Sequence, residues 1–289
     1  MKIIFSRKGF DSASGGVPSP VFPDGSMVSL PIPDKHSPIR YQDIMWQGRS
    51  LGGLVSGLTD GRVPASHFAH LDPDINSGSL PRRAGWKPLF GQTGAAQGHL
   101  RNNGVRAGDL FLFFGLFQNV LQSEGRLQWD TQSPRRHLLW GWLQVGEVLD
   151  ARDFSRLGHD WAGYHPHFHR GVEKNNTLYV TRGRLTLPGG FGMGLSGAGV
   201  FQKCSERLIL TAPGAETPGL WELPRWFHPR DGKCPLTYHA DLARWTKTSN
   251  RTRLNSVARG QEFVLDTGEY PEAAGWVETL LTGRPSRSG

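Results

Sequence analysis

Residues 105–114 read VRAGDLFLFF, a Gly-Asp turn followed by five consecutive apolar residues. A short apolar run after a turn predicts a strand that is buried on both faces at the centre of a sheet. The polar stretch at 118–136 is expected to be an insertion. The apolar segment LLWGWLQVGEVL at 138–149 predicts a second strand pair beside the first.

Flanking segments extend this sheet in both directions along the chain. The apolar start at 2–6 predicts a buried strand, and a Pro-Asp-Gly turn predicts a hairpin within 20–33. Apolar spacing and terminal signals predict helices at 92–103 and 270–282. Further strands are predicted at 177–181, 184–187, 207–211 and 262–265, short helices at 40–47 and 239–246, and loops at 48–64 and 151–175.

The chain is rich in turn-forming residues, with 38 glycines and 20 prolines among 289 residues. This composition disfavours long helices and favours short strands joined by many turns. We therefore predict one α+β domain over residues 1–283 that is mostly β. Its core is expected to be a mixed, bent sheet or a barrel with few short helices, followed by a disordered tail at 284–289.

Charge and composition also narrow the classes of function. The formal net charge of +8 favours polyanionic partners such as nucleotides or nucleic acid, with a basic enzyme of another kind as the alternative. Two cysteines without a CxxC spacing support neither a disulfide framework nor a cysteine zinc site. The chain starts without a signal peptide, and no apolar run approaches the ~20 residues that span a bilayer. We therefore expect a cytoplasmic protein without membrane contact.

The loop SRKGFDSASGG at 6–16 directly follows the first predicted strand. Arg7 and Lys8 could clamp a phosphate, because glycine-rich turns and cations both favour anions. Asp11 could act as a base or a metal ligand. The alternative is a solvated turn in which Asp11 caps backbone N–H groups.

His70 and Asp72 form a second candidate constellation in HLDPD at 70–74. Residues two apart on a strand point to the same face, so the imidazole and the carboxylate could share a metal or form a base and its orienting partner. The alternative is that Asp72 only starts a turn. We predict Asp11, His70 and Asp72 as catalytic residues.

The segment GQTGAAQGH at 91–99 opens the predicted helix with small residues, which leaves backbone N–H groups available to an anion. Gln92 and Gln97 could read a base edge through paired hydrogen bonds. Together with His99, they are predicted to bind the phosphate or the nucleotide.

HPH at 165–167 belongs to the alternating run HPHFH. Imidazoles on one face of an extended chain could bind a transition metal, so His165 and His167 are predicted metal ligands for a divalent metal cofactor. A loop that contacts a base or a phosphate is the alternative. The aromatic groups at 140–142 and 221–228 could stack on a base, but we expect most of them in the core. Glu262, at the start of the strand predicted at 262–265, either enters a site or serves at a strand edge.

Several blocks resemble the nucleotide modification associated domain 3 family. They are SRKGFDSASGGVPSPVFPDGSMVSLPIPD from residue 6, HLDPDI at 70–75, GWKPLFGQTGAAQGHLRNNGVRAGDLFLFFG at 85–115, HLLWGWLQVGEV at 137–148, HPH at 165–167, NTLYV at 176–180, GAGVF at 197–201, LWELPRWFHP at 220–229 and RGQEFVLD at 259–266. The blocks cover nearly the whole chain. The resemblance implies a link to the modification of bases in nucleic acid.

A shorter resemblance concerns the fold. VRAGDLFLF at 105–113 and GWLQVGEV at 141–148 look like the strand pair of PUA-like barrels of the ASCH and EVE group. That resemblance implies a barrel core that holds RNA or modified bases, with the N-terminal third as an elaboration.

Three functions remain open from the sequence. The leading hypothesis is an enzyme that modifies a nucleotide or a base in nucleic acid, with a divalent metal as its cofactor. The second is a non-catalytic reader of modified nucleic acid, and the third is a metal-dependent oxidase or hydrolase of a small metabolite. No GxSxG, HExxH or P-loop motif occurs to favour a common hydrolase, protease or kinase.

Overall fold

The computed structural model describes residues 1–123, 125–152, 158–171, 173–192 and 194–284. Its helices are α1 (Leu51–Leu58), α2 (Gly94–Asn102) and α3 (Glu272–Thr282). Its strands are β1 (Lys2–Arg7), β2 (Ser19–Val21), β3 (Ile32–Pro33), β4 (Met45–Trp46), β5 (Arg49–Ser50), β6 (Ala69–His70), β7 (Leu89–Gln92), β8 (Leu110–Ser123), β9 (Arg126–Trp129), β10 (Arg136–Asp150), β11 (Thr177–Thr181), β12 (Ala198–Val200), β13 (Leu220–Pro224), β14 (Trp245–Lys247), β15 (Arg251–Asn255) and β16 (Glu262–Asp266).

The main sheet is mixed and follows the order β16-β1-β8-β10-β11-β7, with β2 and β9 paired to β8 and β12 paired to β10. β1 runs parallel to β8, whereas β16 and β10 run antiparallel to their neighbours. The predicted mostly β, α+β fold with a mixed sheet is confirmed. The described strands do not close into a barrel, so the barrel form of the prediction is not observed.

β8 is the central strand, as its apolar run indicates. Every residue from Leu110 to Phe114 is fully buried. The strand continues through Phe117 and Val120 into the predicted polar insertion and then forms a hairpin with β9. Our prediction of an insertion at 118–136 was wrong there, because Phe117 packs into the main core and Val120 into a second apolar cluster that contains Phe10.

The segment at 138–149 forms one long strand, β10, rather than a strand pair. Register shifts at Leu139/Gly141 and Val145/Glu147 bend it, which lets it pair with β8, β12 and β11 along its length. A Cβ on Gly146 would lie 2.9 Å from backbone atoms of Arg182. The close approach of two backbones therefore requires glycine at the second shift.

Helices α2 and α3 confirm two predictions, and the rest of the helical pattern differs. Residues 41–43 form one 3-10 turn followed by the β4–β5 hairpin, so no helix spans 40–47. α1 lies instead within the predicted loop at 48–64. The Ser50 hydroxyl accepts a hydrogen bond from the Gly52 N–H, and Leu51, Val55 and Leu58 bury one face.

Three short elements predicted near the C-terminal half are also corrected. Around 184–187 the structure has an isolated bridge between Arg184 and Ser196, and residues 206–208 form a 3-10 turn. Residues 242–244 form a single 3-10 turn before β14, rather than a helix over 239–246. Of the predicted tail at 284–289, residues 285–289 lie outside the described residues. No helix among the described residues has the length and apolar character to cross a membrane.

A small sheet of β13, β15 and β14 packs its aromatic side chains against the main sheet. Trp221 on β13 is fully buried and contacts the rings of Phe5, Phe114 and Phe263. Trp140 on β10 packs on Phe113. These two tryptophans therefore form core, as expected, rather than a stacking surface.

His239 makes stability depend on pH. Burial, aided by Arg244 and Arg7, lowers the pKa of this fully buried imidazole to about 4. Its Nδ1–H donates to the Thr237 carbonyl, 2.9 Å away. Because the unfolded chain binds the proton near pH 6.5, the contribution is complete above that pH and is lost as the pH falls towards 4.

We expect His239→Gln to be less stable at pH 7 and to lack up to about 3 kcal/mol of the stability change that the wild type shows between pH 6.5 and 4. Urea unfolding at several pH values measures this difference. Parallel curves for the two proteins would contradict the assignment.

Candidate functional site

The predicted polar segments meet at one cavity of about 640 Å³. The C-terminal end of β1, the loop after β6, the end of β7 and the start of β16 form its walls. The described side chains and backbone that line it are Arg7, Lys8, Gly9, Asp11, Ser14, Ile32, His70, Asp72, Gly91, Gln92, Thr93, Ala95, Ala96, His167, Arg170, Tyr238, Arg259, Gly260, Gln261 and Glu262.

Asp72 lies at the centre of a buried cluster in this cavity. Its carboxylate is 3.7 Å from His70 Nε2, 3.6 Å from His167 Nε2 and 3.2 Å from His165 Nε2. The Gly91 N–H on β7 donates to Asp72 Oδ1 at 2.8 Å and fixes the carboxylate. Residues 165 and 167 come together because a 3-10 turn at 166–168 follows His165.

Two partners outside the predicted motifs orient the imidazoles. β3 pairs with β6, which places Asp34 beside His70, and Asp34 Oδ2 lies 2.8 Å from His70 Nδ1. Asn176, just before β11, lies with Oδ1 2.6 Å from His167 Nδ1 and donates from Nδ2 to the His167 carbonyl at 2.7 Å. A carboxylate accepts only, and the amide oxygen of Asn176 also accepts. Both Nδ1 atoms therefore carry the proton, and both Nε2 atoms face Asp72.

In this arrangement the negative charge of Asp72 lies next to the Nε2 lone pairs of His70 and His167. Ligand atoms of His70, Asp72 and His167 all lie within 4.8 Å of one another. With Nδ1 protonated, each neutral imidazole presents an Nε2 lone pair to the Asp72 carboxylate. Such a cluster requires a cation between its members, which is a proton or a metal ion.

The pKa directions agree with this picture. Burial alone would raise the pKa of Asp72, but the contacts with His165, His167 and His70 outweigh it and hold that pKa well below the ordinary value. Burial would lower the pKa of His70, but its contacts with Asp34 and Asp72 raise it. For His165, burial dominates and lowers the pKa. Asp72 is thus an anion that attracts positive charge.

The geometry fits a transition metal. Bonds of about 2.0–2.2 Å to a tetrahedral ion separate neighbouring ligand atoms by ~3.4 Å, close to the distances of 3.6 and 3.7 Å observed around Asp72. Two imidazoles and a carboxylate suit zinc and non-haem iron, and three protein ligands leave a position open to the cavity. Asp34 and Asn176 are the outer-shell partners that such ligands have.

A second buried charge pair lies on the same cavity wall. Glu262 Oε1 accepts hydrogen bonds from Lys8 Nζ at 3.0 Å, Ser6 Oγ at 3.0 Å and Gln92 Nε2 at 2.5 Å. Glu262 Oε2 is buried without a hydrogen-bond partner among the described residues. Burial raises the pKa of Glu262 despite the opposing effect of Lys8. The free oxygen is therefore suited to accept a proton or a hydrogen bond.

The structure separates the other predicted residues into two groups. Arg7 and Asp11 line the cavity, but Asp11 Oδ1 accepts from the backbone N–H groups of Ala13 and Ser14, both at 2.8 Å. That is the capping alternative. Gln97 and His99 do not line the cavity, since the Gln97 oxygen accepts from Tyr179 and His99 Nε2 bonds Thr237 Oγ1.

His165 is placed differently from its predicted partner. His167 joins His70 and Asp72, whereas His165 is fully buried behind the cluster and contacts the other oxygen of Asp72. Sequence reasoning did not find Asp34, Asn176 or Arg170. Arg170 pairs with Asp34 at 3.1 Å, and no motif spacing links these residues, because their contacts arise from the tertiary fold.

Gly91 allows the cluster to close. A Cβ there would lie 2.4–2.7 Å from His167 ring atoms. Gly91→Ala must displace that ring, and overpacking of this kind costs about 1–3 kcal/mol. We expect divalent metal affinity to fall at least ~10-fold, as for loss of an outer-shell partner.

The matched control is Gly98→Ala in α2, where a Cβ meets no atom within 4 Å. It should leave metal affinity unchanged. Titration of the metal-free proteins measures both variants, and equal affinities for them would contradict this role of Gly91.

The fold and the cavity together define a mixed-sheet α+β protein in which a His-Asp cluster shares one cavity with basic side chains. The chain belongs to the nucleotide modification associated domain 3 family, whose model matches residues 2–266. The match ends where β16 ends and includes every residue of the cavity. Comparisons with curated proteins and with solved structures found no significant match. The family resemblance drawn from the sequence is confirmed.

Proposed function

We propose that the cavity is the active site of an enzyme that modifies a nucleotide or a base in nucleic acid, with a divalent metal ion held by His70, Asp72 and His167. The observation that carries the proposal is the convergence of two Nε2 atoms on one carboxylate, with both Nδ1 atoms held by other residues. Metal-binding histidines usually have an outer-shell partner of this kind. Two independent partners therefore favour a ligand role for His70 and His167 over a role as core residues.

The substrate class follows from the family description and from the charge of the lining. The family is associated with nucleotide modification. Four cationic side chains line the cavity, namely Arg7, Lys8, Arg170 and Arg259. Ala95 and Ala96 in the first turn of α2 also line it, and N–H groups of a first turn have no intrahelical partner. Together these features favour a phosphate-bearing substrate.

Each polar group has a distinct task in this proposal. A bound metal ion would supply Lewis acidity or lower the pKa of a water molecule at its open position. Asp34 orients His70 and Asn176 orients His167, so that both Nε2 atoms stay directed at the ion. Glu262 transfers a proton through its free Oε2, since a pKa raised by burial brings a carboxylic acid closer to neutral pH.

The test combines turnover with metal loading. Metal-free protein is reconstituted with Zn²⁺, Fe²⁺ or Mn²⁺ and incubated with nucleoside phosphates, DNA and RNA. Mass spectrometry of the digested nucleosides detects modification. We expect a mass change that requires metal and that is absent in Asp72→Asn and Glu262→Gln. His169→Ala, on the same segment but exposed, should retain turnover.

If the protein binds nucleic acid without any mass change, and Asp72→Asn does not affect this binding, the result would contradict the enzymatic function. It would favour a non-catalytic reader of modified nucleic acid. Metal-dependent turnover of only a non-nucleotide metabolite would contradict the substrate class.

A further inference from the structure

Tyr238 is an aromatic side chain that remains exposed at the cavity wall. It is 49% exposed, whereas most aromatic rings of the chain are buried in the core. It follows β13 in the chain and lies between Thr237 and His239, ahead of the 3-10 turn at 242–244. The Tyr238 ring is therefore available to contact a molecule bound in the basic cavity.

The backbone of Tyr238 is strained in a way that the surrounding structure enforces. Its φ of 67° lies in the left-handed region, which bulky residues rarely adopt. The Thr237 hydroxyl accepts from the Val264 N–H at 2.9 Å, and His239 Nε2 accepts from the Val257 N–H at 3.2 Å. Both neighbours of Tyr238 are thus held in place. Strain of this kind persists at functional sites when the structure around it fixes the conformation.

The ring is supported from behind. The centroids of the Tyr238 and His99 rings are 4.4 Å apart at an interplanar angle of 35°, and Phe263 meets Tyr238 edge-on at 6.2 Å. His99 is itself held by Thr237 Oγ1 at 2.9 Å. Gly260, with φ of 99°, passes so close that a Cβ would lie 3.6 Å from the Tyr238 ring. The ring is therefore held by its neighbours, while it lines the cavity and keeps about half of its surface exposed.

We propose that Tyr238 is a stacking platform that positions the nucleobase of the substrate, with the phosphate held by the cationic lining. The inference rests on the proposed function and deepens it, because it assigns the base and not only the phosphate to the cavity. Every base has a π-face, so stacking selects nucleobases as a class without reading their edges. His99, predicted as a direct nucleotide contact, acts here as the support beneath Tyr238.

Tyr238→Gly and Tyr238→Phe separate the ring from the backbone. Glycine adopts a positive φ without steric cost, so Tyr238→Gly keeps the turn and removes the platform. Leu242→Ala is the matched control, since Leu242 is 51% exposed and does not line the cavity. The probes are adenosine 5′-monophosphate, thymidine 5′-monophosphate and inorganic phosphate, titrated calorimetrically into the metal-loaded protein.

We expect Tyr238→Gly to bind both nucleotides about 10-fold or more weakly, to bind inorganic phosphate as the wild type does, and to keep its unfolding temperature. Tyr238→Phe and Leu242→Ala should bind nucleotides as the wild type does. Unchanged nucleotide affinity in Tyr238→Gly would overturn the platform and leave the proposed function standing. Wild-type protein that binds metal but binds neither nucleotide and no DNA or RNA would overturn both.

Discussion

Removal of either imidazole ligand is expected to abolish tight binding of divalent metal. In His70→Ala or His167→Ala, the Asp72 carboxylate loses one of the two Nε2 atoms that lie 3.7 and 3.6 Å from it. Loss of an outer-shell partner alone costs ~10–100-fold in metal affinity, so loss of a ligand should exceed 100-fold. Competition of the metal-free protein against a chromophoric chelator measures these affinities.

Loss of an outer-shell residue is expected to reduce metal affinity less than loss of a ligand does. Asp34→Ala removes the carboxylate that holds His70 Nδ1 at 2.8 Å, and it should weaken metal binding by ~10–100-fold without removing a ligand. His169→Ala should have no effect, because its imidazole Nε2 bonds the Gly163 carbonyl away from the cluster. A His70→Ala protein that binds metal as tightly as His169→Ala would contradict the ligand assignment.

The largest loss of stability is expected from Asp74→Ala. Asp74 is fully buried, and Arg82 donates to its two carboxylate oxygens at 2.6 and 2.7 Å. The Tyr164 hydroxyl donates to Asp74 Oδ2 at 2.5 Å. Truncation leaves the mostly buried guanidinium without its counter-charge, which costs about 3–5 kcal/mol. Urea unfolding at pH 7 gives the change in free energy of unfolding.

Asp74 also contributes to the geometry of the candidate metal site. Its carboxylate ties the loop that carries Asp72 to Arg82 and Tyr164. We therefore expect Asp74→Ala to weaken metal binding as well. Glu269→Ala, which breaks the exposed pair with Lys233, should cost less than about 1 kcal/mol. Equal losses in Asp74→Ala and Glu269→Ala would show that the buried pair is not the anchor described here.

The centre of the fold could be predicted because its signal is local. Five apolar residues in a row identified the start of β8, and turn and stop residues identified α2 and α3. α1 was missed because its two glycines at 52–53 and a third at 57 resemble loop composition, although Leu51, Val55 and Leu58 keep helical spacing. The long extension of β8 was missed because Gln118, Asn119, Gln122 and Ser123 make its composition polar.

The candidate site was predictable only as separate pieces. His70, Asp72 and His167 carried recognisable chemistry in the sequence, and so did Arg7 and Lys8. Their partners could not be found, since the pairing of β3 with β6 brings Asp34 to His70, and Asn176 meets His167 across a nine-residue loop with no motif spacing. A sequence motif also does not reveal that a side chain is already hydrogen-bonded elsewhere in the fold. For this reason Asp11, Gln97 and His99 were predicted as site residues.

We infer that His70, Asp72 and His167 form one metal site that opens on the basic cavity. Anomalous diffraction from crystals loaded with Zn²⁺ or Fe²⁺ would locate the bound ion. We expect an anomalous peak about 2.0–2.2 Å from His70 Nε2, His167 Nε2 and an Asp72 oxygen, and no peak there in Asp72→Asn. An empty cluster in fully loaded crystals, or a peak bound by other residues instead, would contradict it.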